Sequence, residues 1–280
     1  MKKLVRVISA FGIIAMIFIL TVLTQVGGIA LILSIMIGSR INRNINRVWQ
    51  RIGIQIGSFF VVYLLFVFAI VPAMAKPLGR VPLPLFELKG VRPANALTFL
   101  LNRNYVRPEL KRIVFNTADF VNKKYPGSTL NYLDASFPFI NKFPLFPHLS
   151  HNDGKKLDVS FFYKDSATNQ ETKEVPSWIG YGVCEEPMPG EMNRPEECGQ
   201  KGFWQYSLLR KYISQSEKRN FMFDAIRTKS LVNAFANEKN VGKILIEPHL
   251  KNRLKLTSSK IRLHGCNAVR HDDHIHVQLK

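Results

Sequence analysis

The hydrophobic pattern changes character once along the chain, near residue 75. Ahead of that point apolar positions run together. Beyond it they fall into short periodic segments. Residues 7–38 form one apolar run in which Gln25 is the single strongly polar side chain, and residues 52–75 form a second. Each reaches the roughly 20 residues that carry a helix across a bilayer, so residues 1–75 are expected to form a membrane anchor of transmembrane helices. The connecting stretch carries Arg40, Arg43, Arg47 and Arg51, and the first 75 residues hold no Asp or Glu. Basic flanks tend to remain cytoplasmic, which puts these arginines inside and everything after residue 75 outside. Lys2, Lys3 and Arg6 favour the inner side as well. A reversal near Gln25-Val26-Gly27-Gly28, making the first run a hairpin, reconciles the two demands. Ala73-Met74-Ala75 also has the small-residue spacing of a signal cleavage site.

Residues 76–93 contain Pro77, Pro82, Pro84 and Pro93 and read as a short stiff linker. Residues 94–280 are expected to form one domain, long enough to bury a proper core. Helical spacing of Leu110, Ile113, Val114, Phe120 and Val121 after Pro108 predicts a helix over 109–124. Residues 128–133 and 156–163 look extended. In the latter, Leu157, Val159 and Phe161 alternate with Asp158, Ser160 and Phe162. Helices are expected at 203–214 and 221–237, and strands at 243–247 and 274–279. Interspersed strands, helices and long loops predict an α+β fold, a small antiparallel sheet with flanking helices.

The net charge of +19 divides into +7 in the first 75 residues and +12 after them. A basic exported domain suits an anionic wall polymer or lipid headgroups, and no nucleic acid is expected outside the cell. Cys184, Cys198 and Cys266 all follow the anchor. Cys184 and Cys198 bracket a Pro-, Gly- and Glu-rich loop, where an oxidising compartment favours a disulfide between them; free thiols are the alternative, and no Cys-x-x-Cys pair points to a metal.

Five of the seven histidines fall in two clusters, His148-x-x-His151 and His271-x-x-His274-x-His276. A catalytic zinc takes three protein ligands of the His, Asp or Glu type and keeps a fourth position open. In a strand, His274 and His276 project from one face while Ile275 and Val277 face the core. A turn at Asp153-Gly154 can bring His151 and Asp158 to one ion, with Gly154 supplying a positive φ. His249 and His264 read as structural or exposed.

The spacing His151-x-x-Gly154-x-x-x-Asp158 with His274-x-His276 downstream resembles the lysostaphin and D-Ala-D-Ala metallopeptidase clan. Adding His148 and His271-Asp272-x-His274 narrows the resemblance to the penicillin-insensitive murein endopeptidases, over roughly residues 148–280. The stretch Lys243-Ile244-Leu245-Ile246-Glu247-Pro248-His249-Leu250-Lys251 is also similar to that family's strand-to-helix segment before its final histidine motif. This resemblance implies Zn2+ held by His151, Asp158 and His276, with His274 as the catalytic histidine, His148 close to the metal and His271 lining the cleft. Lys156 departs from the family's acidic residue there, and Cys266 and Arg270 depart as well. The implied function is a zinc-dependent peptidase of the bacterial cytoplasmic membrane. Its domain would face the periplasm and hydrolyse peptidoglycan peptides as an endopeptidase or carboxypeptidase. The alternative is a non-catalytic zinc-containing domain that binds wall peptides or a partner.

Overall fold

The computed structural model describes residues 2–146 and 148–280. Helix α1 (Lys2–Thr24) ends at Gln25, whose φ of +64° turns the chain back into α2 (Gly27–Ile41). The reversal is tight because a side chain at Gly28 would collide with Thr21 and with the Ile17 carbonyl, so only glycine lets the two helices approach this closely. α3 (Val48–Ala75) is continuous over 28 residues, about 42 Å at 1.5 Å per residue. It is the one helix among the described residues long and apolar enough to cross a membrane, while residues Ala10–Thr24 form a shorter apolar helix. Several spanning helices were expected, the first run folded back near Gln25 as one arrangement; by length and composition one helix qualifies among the described residues.

The rest is a mixed α/β domain around a six-stranded sheet. Its strands are β1 (Val91–Pro93), β2 (Leu130–Tyr132), β3 (Lys156–Ser160), β4 (Val241–Leu245), β5 (Ile261–Arg262) and β6 (His274–Leu279). They lie in the order β5-β4-β6-β3-β2-β1, antiparallel in the middle and parallel at both edges. The sheet is thus larger and more mixed than the small antiparallel one expected. Helix α4 (Pro108–Lys124) starts where Pro108 fixes φ and Glu109 faces the amide dipole, and ends on Lys123 and Lys124. It packs with α5 (Ala225–Asn237) on one sheet face. There Leu110, Ile113, Val114, Leu231 and Phe235 meet Leu157, Val159, Ile275 and Val277. Each such buried aliphatic side chain contributes about 2 kcal/mol. The opposite sheet face carries Asp158, Ser160, His274 and His276.

Three expected elements differ. Residues 76–93 are built into the fold: Leu83 is fully buried in the main core, β1 belongs to the sheet, and Val81–Pro82 pairs with Tyr105–Val106. The prolines misled because Pro82 and Pro84 flank Leu83 and Pro93 ends the strand that Val91 begins, two apolar residues that the core needs. Residues 221–223 are extended and pair with Tyr163–Asp165, because Asp224 accepts the Arg227 N–H at 3.0 Å and so starts α5 at Ala225. Residues 203–214 form a 3-10 turn (Trp204–Ser207) followed by the short helix Leu208–Tyr212.

The helical N-terminus docks directly on this domain. Tyr63 Oη donates to the Leu100 carbonyl (2.7 Å), Asn102 Nδ2 to the Thr24 carbonyl (3.2 Å), and the Phe139 N–H to Gln25 Oε1 (3.1 Å). Val26, Val71, Ala75 and Tyr105 close over these contacts.

Candidate metal centre

The site is assembled by strand register. In the β3/β6 ladder His276 stands opposite Asp158 and His274 opposite Ser160, so alternation aims Asp158, His274 and His276 at the same side. His151 arrives from the loop before β3, where its N–H donates to the His148 carbonyl at 2.9 Å and one turn brings both rings to the strand face. The loop then passes Gly154 at φ +73°, which lies against the guanidinium of Arg80; a Cβ there would fall 2.6 Å from Arg80 Cζ. The positive φ expected at Gly154 from sequence is therefore present.

Three donor atoms converge. His151 Nε2 lies 3.0 Å from His276 Nδ1 and 3.2 Å from Asp158 Oδ1, and His276 Nδ1 lies 2.9 Å from the same oxygen. Tetrahedral zinc with bonds of 2.0–2.1 Å separates its ligands by about 3.3 Å, so this triangle fits such an ion with little adjustment. The tautomer of His151 suits the task. Its Nδ1–H donates to the Ala135 carbonyl at 2.8 Å, leaving the Nε2 lone pair facing inward. His148, His151 and Asp158 form an overlapping donor set within 4.8 Å. His276 closes the tighter triangle, and we take it as the third ligand.

Protonation favours the same reading. Burial opposes charge on Asp158, but the neighbouring His151 and His274 and the hydrogen bonds from His151 and His276 hold its carboxyl well below the usual range. Burial pushes the His276 imidazole down to about 4, leaving it neutral and able to ligate at physiological pH. His274 behaves oppositely. Burial works against its charge, yet the Asp273 and Asp158 carboxylates prevail and lift it to about 9. Its Nδ1 is bound by Asp273 Oδ1, while Nε2 is buried without a partner, 3.7 Å from Asp158 Oδ2. His148 Nε2 is also buried and unpartnered, while its Nδ1 lies 3.2 Å from Asp158 Oδ2 and 3.1 Å from Asp134 Oδ2. His271 is buried, its ring 4.8 Å from that of His274, and burial pushes it well below its ordinary value. Every histidine singled out from the sequence is thus brought to one place, beside a cleft of about 420 Å³.

Several neighbours were missed. Tyr181 Oη donates to Asp158 Oδ2 at 2.9 Å and accepts the Asp134 N–H at 3.0 Å, and its ring stacks edge-on against both His148 and His274. Asp134 is paired with Arg103 at 2.8 Å. Asp273, beside His274 in sequence, had a visible signal in adjacency; Tyr181 and Asp134 had none. Lys156 turns away to Asp153 (2.7 Å), so its departure from the family pattern leaves the site untouched.

The disulfide joins Cys198 to Cys266, and Cys184 is free and buried. The expected Cys184–Cys198 bond fails because the chain around Cys184 is tied to the β6 approach. The Gly182 N–H donates to Asp273 Oδ2 (2.5 Å) and the Glu185 N–H to the Asp272 carbonyl (2.7 Å). Cys198, on the helix Arg194–Gln200, instead packs with Tyr206 beside Cys266. The loop between Cys184 and Cys198 is held by Glu186–Arg270 and Glu191–Arg253 pairs, and none of its residues lines the cleft.

The chain matches no protein-family model, and no curated protein sequence matches it significantly.

Proposed function

We propose that this protein is a membrane-anchored zinc-dependent peptidase that hydrolyses peptide bonds in peptidoglycan. One observation carries the reading: three donor atoms within 3.2 Å of one another stand beside a buried His274 whose Nε2 is free. His151, Asp158 and His276 would hold the metal. When bound, zinc lowers the pKa of a ligated water to about 7 and polarises the scissile carbonyl. His274 lies where, once a bound cation disfavours its own positive charge, it would take and return the proton. Asp273 fixes its Nδ1–H and leaves Nε2 toward the reacting groups. Tyr181 and Ala135 would keep Asp158 and His151 oriented to hold the ion. The exposed Trp204, Phe146 and Leu149 flank the cleft and offer apolar surface to a peptide stem.

Charge and membrane geometry support an extracytoplasmic substrate. Gln25 and the end of α3 both contact the domain, whereas Lys2 and the Arg40 to Arg51 stretch lie at the far ends of the helices. With the basic ends inside, the domain faces the periplasm. The exposed apolar residues Phe11, Phe18, Phe60 and Val61 then face lipid. A basic domain outside the bilayer is attracted to an anionic wall polymer.

The test uses the full chain in detergent with purified peptidoglycan, the products read as muropeptide masses with and without chelator. Chelator-sensitive loss of cross-linked stems or of terminal D-amino acids is expected. Zinc-loaded protein that leaves every muropeptide intact would refute the peptidase.

A further inference from the structure

Behind the cleft wall, a second set of metal-type donors converges, sharing only His271 with the site above. Glu247, His264 and His271 each place one ligand atom within 4.8 Å of the others. Glu247 follows β4 and is 2 % exposed. Its Oε1 accepts the Tyr206 hydroxyl at 2.6 Å and the His271 N–H at 3.0 Å, while Oε2 is buried with no partner. His264 Nε2 closes directly on His271 Nδ1. A buried carboxylate oxygen left unpaired costs on the order of 1–3 kcal/mol, and here two imidazole nitrogens face each other beside it. One cation would satisfy all three groups.

The geometry points to a second divalent-cation site formed by Glu247, His264 and His271, of the zinc class that nitrogen-rich donor sets with a single carboxylate select. Of its three residues only His271 lines the cleft; Glu247 and His264 do not. His264 is only half-buried, so an ion can enter from solvent. The consequence is structural. The Glu247 N–H donates to the His271 carbonyl at 3.0 Å, and His264 sits two residues from Cys266 of the disulfide. A cation there would clamp β4, the disulfide-tethered loop and the approach to β6 together. It would thereby fix Asn267, Ala268 and Val269, which line the cleft. This goes beyond the catalytic reading and does not depend on it.

Zinc content of the purified full chain, measured by elemental analysis after dialysis against buffered zinc, tests it. The parent should hold two zinc ions per chain. Asp158→Asn should hold one, His264→Ala one, and the double variant none. Glu247→Gln, which keeps the size of the side chain and an oxygen for Tyr206, should also hold one, and thermal melts check that each variant is folded. If folded His264→Ala and Glu247→Gln both retain the parent's zinc content, the second site is overturned. A single parental ion lost in Asp158→Asn and kept in His264→Ala overturns it too, while leaving the catalytic centre intact. A single ion with the reverse pattern supports the second site and removes the first.

Discussion

Replacing His274 with Gln should change how the metal-free protein responds to pH. In the folded chain the Asp273 and Asp158 carboxylates raise His274 to about 9, against about 6.5 for an unfolded histidine. A raised folded value means the native state binds this proton more tightly. The stabilisation is therefore fully present below pH 6.5 and is lost as pH rises through about 9. The gap between the two values corresponds to about 3 kcal/mol, or a melting shift of roughly 6–12 °C for a chain of this size. Chelator-treated parent and His274→Gln protein would be melted at pH 6, 7.5 and 9.5, followed by tryptophan fluorescence. The advantage of the parent should be largest at pH 6 and shrink toward pH 9.5. Saturating zinc should flatten that dependence, because the cation takes over the neutralisation of Asp158 and disfavours a second positive charge beside it. An equal difference in melting temperature at all three pH values, without metal, would refute the electrostatic account of His274.

Tyr181→Phe removes the hydroxyl that donates to Asp158 Oδ2 and should weaken zinc binding about 10- to 100-fold; competition with a chromogenic chelator measures it, and an unchanged affinity would count against Tyr181 as a support of the site. Gly154→Ala forces a Cβ into Arg80 at φ +73° and should cost about 2 kcal/mol or more, read as a lowered melting temperature. Cys198→Ser opens a crosslink between residues 68 apart and should cost about 4 kcal/mol. Alkylation with mass mapping should find Cys184 unreactive until the protein is denatured, and labelling of native Cys184 would contradict its burial.

Legibility in the sequence followed locality. The alternation of Leu157, Asp158, Val159 and Ser160, and of His274 to Val277, tells which side chains face the core and which face the candidate site. Period 2 is a property of the strand itself. Helix α4 was likewise readable from its own apolar spacing and Pro108. What failed depended on partners far away in sequence. The proline-bearing stretch 76–93 resembles a linker until β2 is available for Val91 to pair with. Cys198 found Cys266 instead of the nearer Cys184 because the chain at Gly182 and Glu185 is tied to Asp272 and Asp273. His264 read as structural or exposed because Glu247 and His271 approach it only in the folded chain.

The contacts of Gln25, Thr24 and Tyr63 with the domain have a consequence for reach. An enzyme on a flexible tether sweeps a volume set by the tether's length, whereas one bolted to its helices works at a single height and in a single orientation. On the proposed function, with α3 in the bilayer, the cleft would be presented to a thin layer of wall at constant distance, and strands beyond that layer would be spared. Lengthening the chain between Ala75 and Leu83 would then alter which layer is cut before it altered the chemistry of cutting.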